Sequence, residues 1–137
     1  MNLFDQLNSF KKYDDDIYGY IKNDTSQEIE IQLRKKIASK NYNNYLLEIS
    51  KHHSIPVMDS EIKRFLKDIP INGLILDIGG CWGWHWRKID KMRPDVKIVI
   101  LDFVRENFKH TKIILNNFLG INIFLVHGNA LSLDFND

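Results

Sequence analysis

The spacing of hydrophobic residues changes near Pro70 and divides the chain into two stretches. Upstream, apolar side chains recur every three or four residues, most clearly over 62–69, where Asp59 is a suitable N-cap. This spacing predicts amphipathic helices. Downstream, short and nearly continuous apolar runs alternate with amphipathic stretches. We therefore expect a helical N-terminal region over residues 1–70 and a second, α/β region over residues 71–137.

Three apolar runs in the second region have the composition of strands that are buried on both faces. They are LILDI at 74–78, VKIVIL at 96–101 and INIFLV at 121–126, and helical patterns separate them. This order of strand, helix, strand, helix and strand predicts a parallel sheet with right-handed crossovers. The expected fold class is therefore α/β, with N-terminal helices followed by a parallel βαβαβ sheet.

The composition is that of an ordinary globular chain. Of 137 residues, 44% are hydrophobic and 27% are charged, so a real core can form. The 19 basic and 18 acidic residues give a formal net charge of +1, which does not indicate a nucleic-acid partner. No signal-peptide pattern and no apolar run of membrane-spanning length is present, so we expect no membrane partner. The single cysteine, Cys81, cannot form an internal disulfide, and a cytoplasmic protein is expected.

Glycines and polar side chains gather where the three predicted strands end. The segment DIGGCWG occupies 77–83 after the first strand, Asp102 ends the second, and Asn129 follows the third. In open parallel sheets, ligands bind at the carboxyl ends of the strands. Glycines let a ligand approach the backbone, a carboxylate accepts hydrogen bonds from ribose hydroxyls, and an amide suits an adenine edge. The pattern therefore predicts a nucleotide-like ligand at this edge.

The glycine-rich segment resembles the first motif of the class I S-adenosylmethionine (SAM)-dependent methyltransferases, an acidic residue followed by glycines at alternate positions. Asp77, Gly79 and Gly83 match the acid and the outer glycines. Cys81 stands where the family usually has its middle glycine. The resemblance covers roughly residues 60–137 and implies a Rossmann-like sheet with SAM as the cofactor.

The resemblance also implies a role for each polar residue of the site. Asp77 would face the amino group of the cofactor, Asp102 its ribose and Asn129 its adenine, although the family usually has aspartate at the last position. Cys81 would narrow the space beside the methionine part. The cofactor-binding residues predicted in this way are Asp77, Gly79, Cys81, Gly83, Asp102 and Asn129.

No catalytic residue and no metal site can be named from the sequence. Cys81 is read as a small loop residue rather than a nucleophile, because His85, about one helical turn away, has no orienting acid in the pattern. Trp84 and Trp86 are expected to pack the following helix against the sheet. For Trp82, which lies in the loop itself, stacking on a ligand and packing remain equal alternatives.

The family fold has seven strands in the order 3-2-1-4-5-7-6, and this chain supplies the first three. The resemblance therefore implies a truncated sheet with the strand order 3-2-1. The first strand would then be an exposed apolar edge, open to self-association or to a completing chain.

The leading function is that of a SAM-dependent methyltransferase, present as an N-terminal fragment that is expected to be inactive alone. Its methyl acceptor cannot be read from the sequence. The alternatives are a non-catalytic SAM- or nucleotide-binding module and a degenerate remnant. A nicotinamide dehydrogenase is disfavoured, because the residues that follow Gly79 do not fit the G-x-G-x-x-G pattern.

Overall fold

The computed structural model of this chain describes residues 2–14, 17–20, 28–38, 44 and 54–135. Its strands are β1 (Lys11–Asp14), β2 (Ile17–Gly19), β3 (Leu74–Ile78), β4 (Lys97–Asp102) and β5 (Ile123–His127). Its α-helices are α1 (Leu3–Ser9), α2 (Glu28–Ala38), α3 (Ser54–Phe65), α4 (Ile89–Met92) and α5 (Phe108–Ile114). Short 3₁₀ turns lie at Trp84–Trp86, Arg105–Asn107 and Asn116–Phe118. No helix in these ranges is long and apolar enough to cross a membrane.

The strands form one mixed sheet in the order β1-β2-β5-β4-β3. The pairs β3–β4, β4–β5 and β5–β2 are parallel, whereas β1 pairs antiparallel with β2. The expected α/β class is confirmed, but the expected order 3-2-1 does not describe this sheet. The three predicted strands are neighbours in that order, and two more strands extend the sheet beyond β5. With five strands, the sheet does not support the expected three-stranded truncation.

The two additional strands come from the region that the sequence pattern assigned to helices. Residues 11–14 and 17–19 are too short to show a clear alternation. Pairing with β5 determines the conformation of 17–19, and pairing with β2 determines that of 11–14. The buried Ile17 is 4% exposed and joins the core beneath the sheet. The expectation of a purely helical region over residues 1–70 is therefore wrong at these strands. The division of the chain at residues 70 and 71 stays a prediction.

Helix α3 begins earlier than its sequence pattern suggested. Asp59 lies inside the helix rather than at its N-cap, and Pro56 falls in the first turn, where a missing N–H costs no intrahelical hydrogen bond. The Asp59 carboxylate instead accepts two hydrogen bonds from the Arg87 guanidinium, at 2.9 and 2.6 Å. That pairing lowers the pKa of Asp59 and ties α3 to the segment after the glycine loop.

Apolar side chains cover both faces of the central strands. Along β4, Ile98 and Ile100 point toward α5, whereas Val99 and Leu101 point toward α1, as alternation along a strand requires. β4 is therefore buried on both faces, as its apolar run predicted. The prediction fails for β3, in which the side chains on the α1 face remain partly uncovered. Leu74, Leu76 and Ile78 are 55%, 38% and 51% exposed.

Candidate functional site

A cavity of about 310 Å³ lies at the carboxyl ends of β3, β4 and β5. Its volume is at the lower end of the range that small-molecule sites occupy. Four of the predicted cofactor-binding residues line it, namely Gly79, Cys81, Asp102 and Asn129. Asp77 and Gly83 are not among the lining residues. The structure thus brings together one residue group from each of the three strand ends.

Glycine is favoured at two positions of the loop, Gly79 and Gly83, for different structural reasons. Both Gly79 and Gly83 have positive φ, 71° and 68°, a region that side chains disfavour. A Cβ on Gly83 would lie only 2.8 Å from the side chains of Ile100 and Leu115, so this residue permits packing of the loop onto the core. A Cβ on Gly79 would meet nothing within 4 Å. Gly79 is therefore the glycine that leaves open space beside the cavity.

Cys81 occupies a conformation that favours glycine. Its φ is 53°, which places a side-chain-bearing residue in the left-handed region and costs roughly 1–2 kcal/mol. Its backbone is held on both sides, because its N–H donates to Asp102 Oδ2 at 2.9 Å and its carbonyl accepts from Thr111 Oγ1 at 3.2 Å. Cys81, the residue at which this chain departs from the family motif, therefore has a strained backbone conformation at the edge of the cavity.

Asp102 connects two walls of the cavity. The residue is 7% exposed, and its Oδ2 accepts the Cys81 N–H from the glycine loop. Its Oδ1 accepts the Val104 N–H at 2.8 Å and the Asn107 Nδ2–H at 3.3 Å. Hydrogen bonds to a carboxylate are among the stronger ones in proteins. Asp102 thus fixes the glycine loop and the turn after β4 relative to each other.

Asp77 supports the loop from below. Its Oδ2 accepts the indole N–H of Trp86 at 2.7 Å and lies 2.7 Å from Nε2 of His85. A Cβ on Gly80 would overlap the same oxygen, so the loop can pass over the carboxylate only with glycine there. His85 does have an orienting acid, contrary to the sequence interpretation. The side chain of Asp77 meets the segment after the loop, and its predicted contact with the cofactor amino group stays a prediction.

The three tryptophans near the loop pack within the protein. Trp82 is 4% exposed, donates its indole N–H to Asn107 Oδ1 at 3.3 Å, and stacks on His110 with ring centroids 4.2 Å apart. Trp86 is 3% exposed, and Trp84 is half-buried under the Arg87 guanidinium. The open alternative for Trp82 is therefore resolved in favour of packing.

The third wall of the cavity depends on a residue from the N-terminal region. The Tyr20 hydroxyl donates to the carbonyl of Asn129 at 2.8 Å, and its ring fills the space that a Cβ on Gly128 would need. Burial, with a smaller contribution from Asp134, raises the pKa of Tyr20. The side chain of Asn129 also shapes this wall, because its Oδ1 accepts the Leu131 N–H at 2.9 Å. Sequence reasoning missed Tyr20, since nothing local to it indicates the distant contact.

A second missed residue is Asn107. It lines the cavity and lies in the 3₁₀ turn five residues after Asp102, where it donates to Asp102 and accepts from Trp82. An amide can do both at once because it carries a donor and an acceptor. Its polarity within an otherwise apolar helical pattern was the only sequence signal.

His127 ends β5 next to the cavity, where its ring is partly buried. Its Nε2–H donates to the Phe103 carbonyl at 2.9 Å, and burial lowers the pKa of the imidazole. Its ring contacts Tyr13 of β1, with centroids 5.5 Å apart. His127 therefore links the end of β5 to the segment after β4.

Solved structures resemble this fold, whereas no protein-family model and no curated protein sequence matches the chain. A protein from Methanococcus maripaludis, described as an S-adenosyl-L-methionine-dependent methyltransferase, superposes with a TM-score of 0.57 at 25% identity. The match covers 75% of this chain and 45% of that chain, so the chain spans less than half of the matched structure.

Two further structures are less similar. A methyltransferase from Bacillus halodurans gives a TM-score of 0.45 at 18% identity, over 57% of this chain and 34% of that one. A caffeoyl-CoA O-methyltransferase from Staphylococcus aureus gives 0.47 at 18% identity, over 80% and 53%. All three descriptions present the activity as a provisional assignment. The first match supports a relationship between this chain and the Rossmann-like, class I methyltransferases.

Proposed function

We propose that the cavity at the strand ends binds SAM and that the chain is the cofactor-binding part of a SAM-dependent methyltransferase. The observation that carries the proposal is the convergence of Gly79, Asp102 and Asn129 on one cavity in a methyltransferase-like fold. The residues fit such a ligand, because an open glycine, a carboxylate and an amide match the methionine, ribose and adenine parts in turn.

The residues of the cavity have binding and positioning roles in this proposal. Asp102 would accept a ribose hydroxyl at Oδ2 while it holds the glycine loop, and Asn129 would present the adenine wall that Tyr20 supports. Asp77 would act indirectly, by keeping Gly80 and the loop in place. Bound SAM would supply an activated methyl group on its sulfonium. The protein would contribute mainly the orientation of that group toward an acceptor.

The lining offers little for proton transfer. Among the described residues around the cavity, Cys81 and Asp102 are the titratable ones, and Asp102 is engaged with backbone N–H groups. The His85–Asp77 pair contacts the other side of the loop. We therefore expect residues 1–137 to bind SAM weakly and to show no methyl transfer without further groups. Binding without transfer is also the behaviour of a non-catalytic SAM-binding module.

A matched pair of glycine substitutions tests the site. Gly79 and Gly120 both have positive φ, 71° and 76°, and both would place a Cβ in open space, but only Gly79 lines the cavity. Valine at either position should cost similar stability, of about 1–2 kcal/mol from backbone strain. Gly79→Val should weaken SAM binding about tenfold or more, because its side chain enters the cavity, and Gly120→Val should not.

Calorimetric titration with SAM, S-adenosylhomocysteine, ATP and NAD⁺ gives the readout, with thermal unfolding of each variant as the stability check. Equal affinities for Gly79→Val and Gly120→Val would place the ligand elsewhere. Tighter binding of ATP or NAD⁺ than of SAM would instead favour another nucleotide-binding unit.

We also propose that the exposed edge of β3 pairs with a second copy of the chain. Antiparallel pairing about a two-fold axis is self-complementary, so the same apolar side chains serve both partners. Leu74, Leu76 and Ile78 all lie on one face of this strand, and partial burial of each would stabilise the pair.

A further inference from the structure

The backbone groups at the open edge of β3 belong to its exposed apolar residues. The Gly73 carbonyl accepts the Lys97 N–H at 3.0 Å, so Gly73 directs its carbonyl toward β4. The Gly79 N–H likewise donates to the Leu101 carbonyl at 2.8 Å. The side to which a strand residue directs its backbone groups alternates along the strand. The N–H and C=O groups that face the open edge are therefore those of Leu74, Leu76 and Ile78.

This alternation selects one register for antiparallel pairing with a second copy. Centred on Leu76, the pair places Ile78 opposite the partner's Leu74, and every one of these edge groups finds a hydrogen-bond partner. The exposed side chains also meet on one face. Centring the pair on Ile75 would set Ile78 opposite the partner's Asn72, whose φ of 57° does not continue a strand. The register centred on Leu76 is therefore the favoured one.

The proposed cofactor cavity reaches the same open edge. Ile78 and Gly79 line the cavity, and Ile78 is 51% exposed. The rest of the lining comes from the glycine loop and from the segments at the ends of β4 and β5. Within the described ranges, no strand lies beyond β3 to close the cavity on that side.

The turn that precedes β3 presents an apolar side chain from a fixed backbone. Ile71 is 84% exposed. Arg93 donates to the Pro70 carbonyl at 2.9 Å and pairs with Asp95 at 2.7 Å. Asp95 in turn accepts the Asn72 N–H at 2.8 Å. Ile71 is therefore held in an exposed position by contacts on both sides of it.

We propose that the partner's turn at residues 71–73 forms a fourth wall of the cofactor cavity, so that SAM binding and pairing through β3 strengthen each other. In the favoured register the partner's Gly73 lies opposite Gly79, at a strand spacing of about 4.8 Å. The partner's Ile71 then follows alongside the glycine loop. A ligand that contacts both copies binds the pair more tightly than the single chain, and by linkage it tightens the pair equally. This inference rests on the proposed SAM site and on the proposed pairing.

The first experiment contains no SAM and tests the position of the turn. Isotopically labelled wild-type protein is mixed with an excess of unlabelled wild type, Ile71→Ser or Ile121→Ser, and the amide shifts of Gly79 and Cys81 are compared. The labelled chain keeps its own Ile71, so any difference arises from the partner's Ile71. We expect different shifts with Ile71→Ser only. Ile121, 65% exposed, is the matched control.

Identical amide shifts in the three mixtures, with association seen by sedimentation, would overturn the fourth wall while the pairing stands. A wild type that remains monomeric would overturn both.

The second experiment measures SAM affinity by calorimetry at protein concentrations where sedimentation shows pairs. Ile71→Ser should weaken SAM binding about fivefold, as expected for the partial burial of one isoleucine. The same substitution should have no effect in the Leu76→Lys background, in which pairing is lost, and Ile121→Ser should have none in either. Equal losses in both backgrounds would mean that Ile71 acts within its own chain and would refute the proposal. Amide shifts without any SAM binding would refute the cofactor site and its coupling, but not the position of the turn.

Discussion

The two edges of the sheet present opposite surfaces to an approaching strand. The edge strand β1 carries Lys11 and Lys12, both exposed, and its pairing with β2 is irregular between Lys12 and Asp14. The opposite edge, β3, pairs with β4 in regular register and exposes Leu76 and Ile78. Lysines and bulges are common means of preventing edge-to-edge pairing, and exposed regular strands favour it. Within the described ranges, the comparison indicates that the β1 edge is protected and the β3 edge is not.

The charge in β3 does not change this conclusion. Asp77 is its one charged residue, and the carboxylate is directed toward Trp86 and His85 instead of guarding the open edge. The strand can therefore be both the support for the glycine loop and a surface for pairing.

The largest expected effect follows from placing a charge on the unprotected edge. Wild-type protein should self-associate, and Leu76→Lys should weaken that association about 100-fold, because each partner loses a buried leucine and gains a cation. Sedimentation velocity over a range of concentrations measures the change. Ile121→Lys, at a side chain that is 65% exposed away from this edge, is the control. A monomeric wild type, or equal association of both variants, would refute pairing through β3.

A smaller effect concerns the loop that continues from β3. Cys81→Gly should increase the free energy of unfolding by about 0.5–1 kcal/mol, because relief of strain exceeds the added flexibility of the unfolded chain. Asn72→Gly is the matched control, since Asn72 also has positive φ, 57°, but asparagine tolerates this region better. Urea denaturation measures the free energy of unfolding of both variants and of the wild type. If Cys81→Gly were the more destabilised of the two, the cysteine side chain would have a stabilising contact.

The smallest effect is expected at the protected edge. Lys12→Val, made together with Leu76→Lys, should restore only weak association, less than about fivefold above the Leu76→Lys protein. The irregularity beside Lys12 remains and limits pairing even without the charge. Sedimentation velocity again gives the answer, with Lys91→Val in the same background as the control. Strong dimers of the Lys12→Val protein would mean that the lysine alone protected the edge.

The sequence predicted best those elements whose burial in the structure matches the burial that their apolar pattern implies. The apolar run of β4 correctly indicated a strand with two buried faces, because helices cover it on both sides. The similar run of β3 gave the same prediction, which failed because α1 leaves this strand partly uncovered. β2 was missed because its parallel partner, β5, lies over 100 residues away, and no local pattern encodes that contact. β1 was missed with it, because β1 pairs only with β2 in the described sheet.

The sequence predicted which residues meet at the candidate site, but not the contacts that support the glycine loop. The ends of parallel strands must meet at one edge, and this rule correctly brought Gly79, Asp102 and Asn129 together. The support for the loop could not be predicted, because the contact of Asp77 with His85 depends on the path of the chain between them. The function of each residue toward a cofactor stays a prediction.

The hydrogen bond from Tyr20 to Asn129 also bears on the order in which the molecule assembles. Its partners are separated by 109 residues, so closing it carries a large entropic cost and belongs to the slow, late contacts of folding. During synthesis, Tyr20 emerges early but can engage Asn129 only once residue 129 has also emerged. We therefore expect the third wall of the cavity to form only after the N-terminal strands have docked, late in folding.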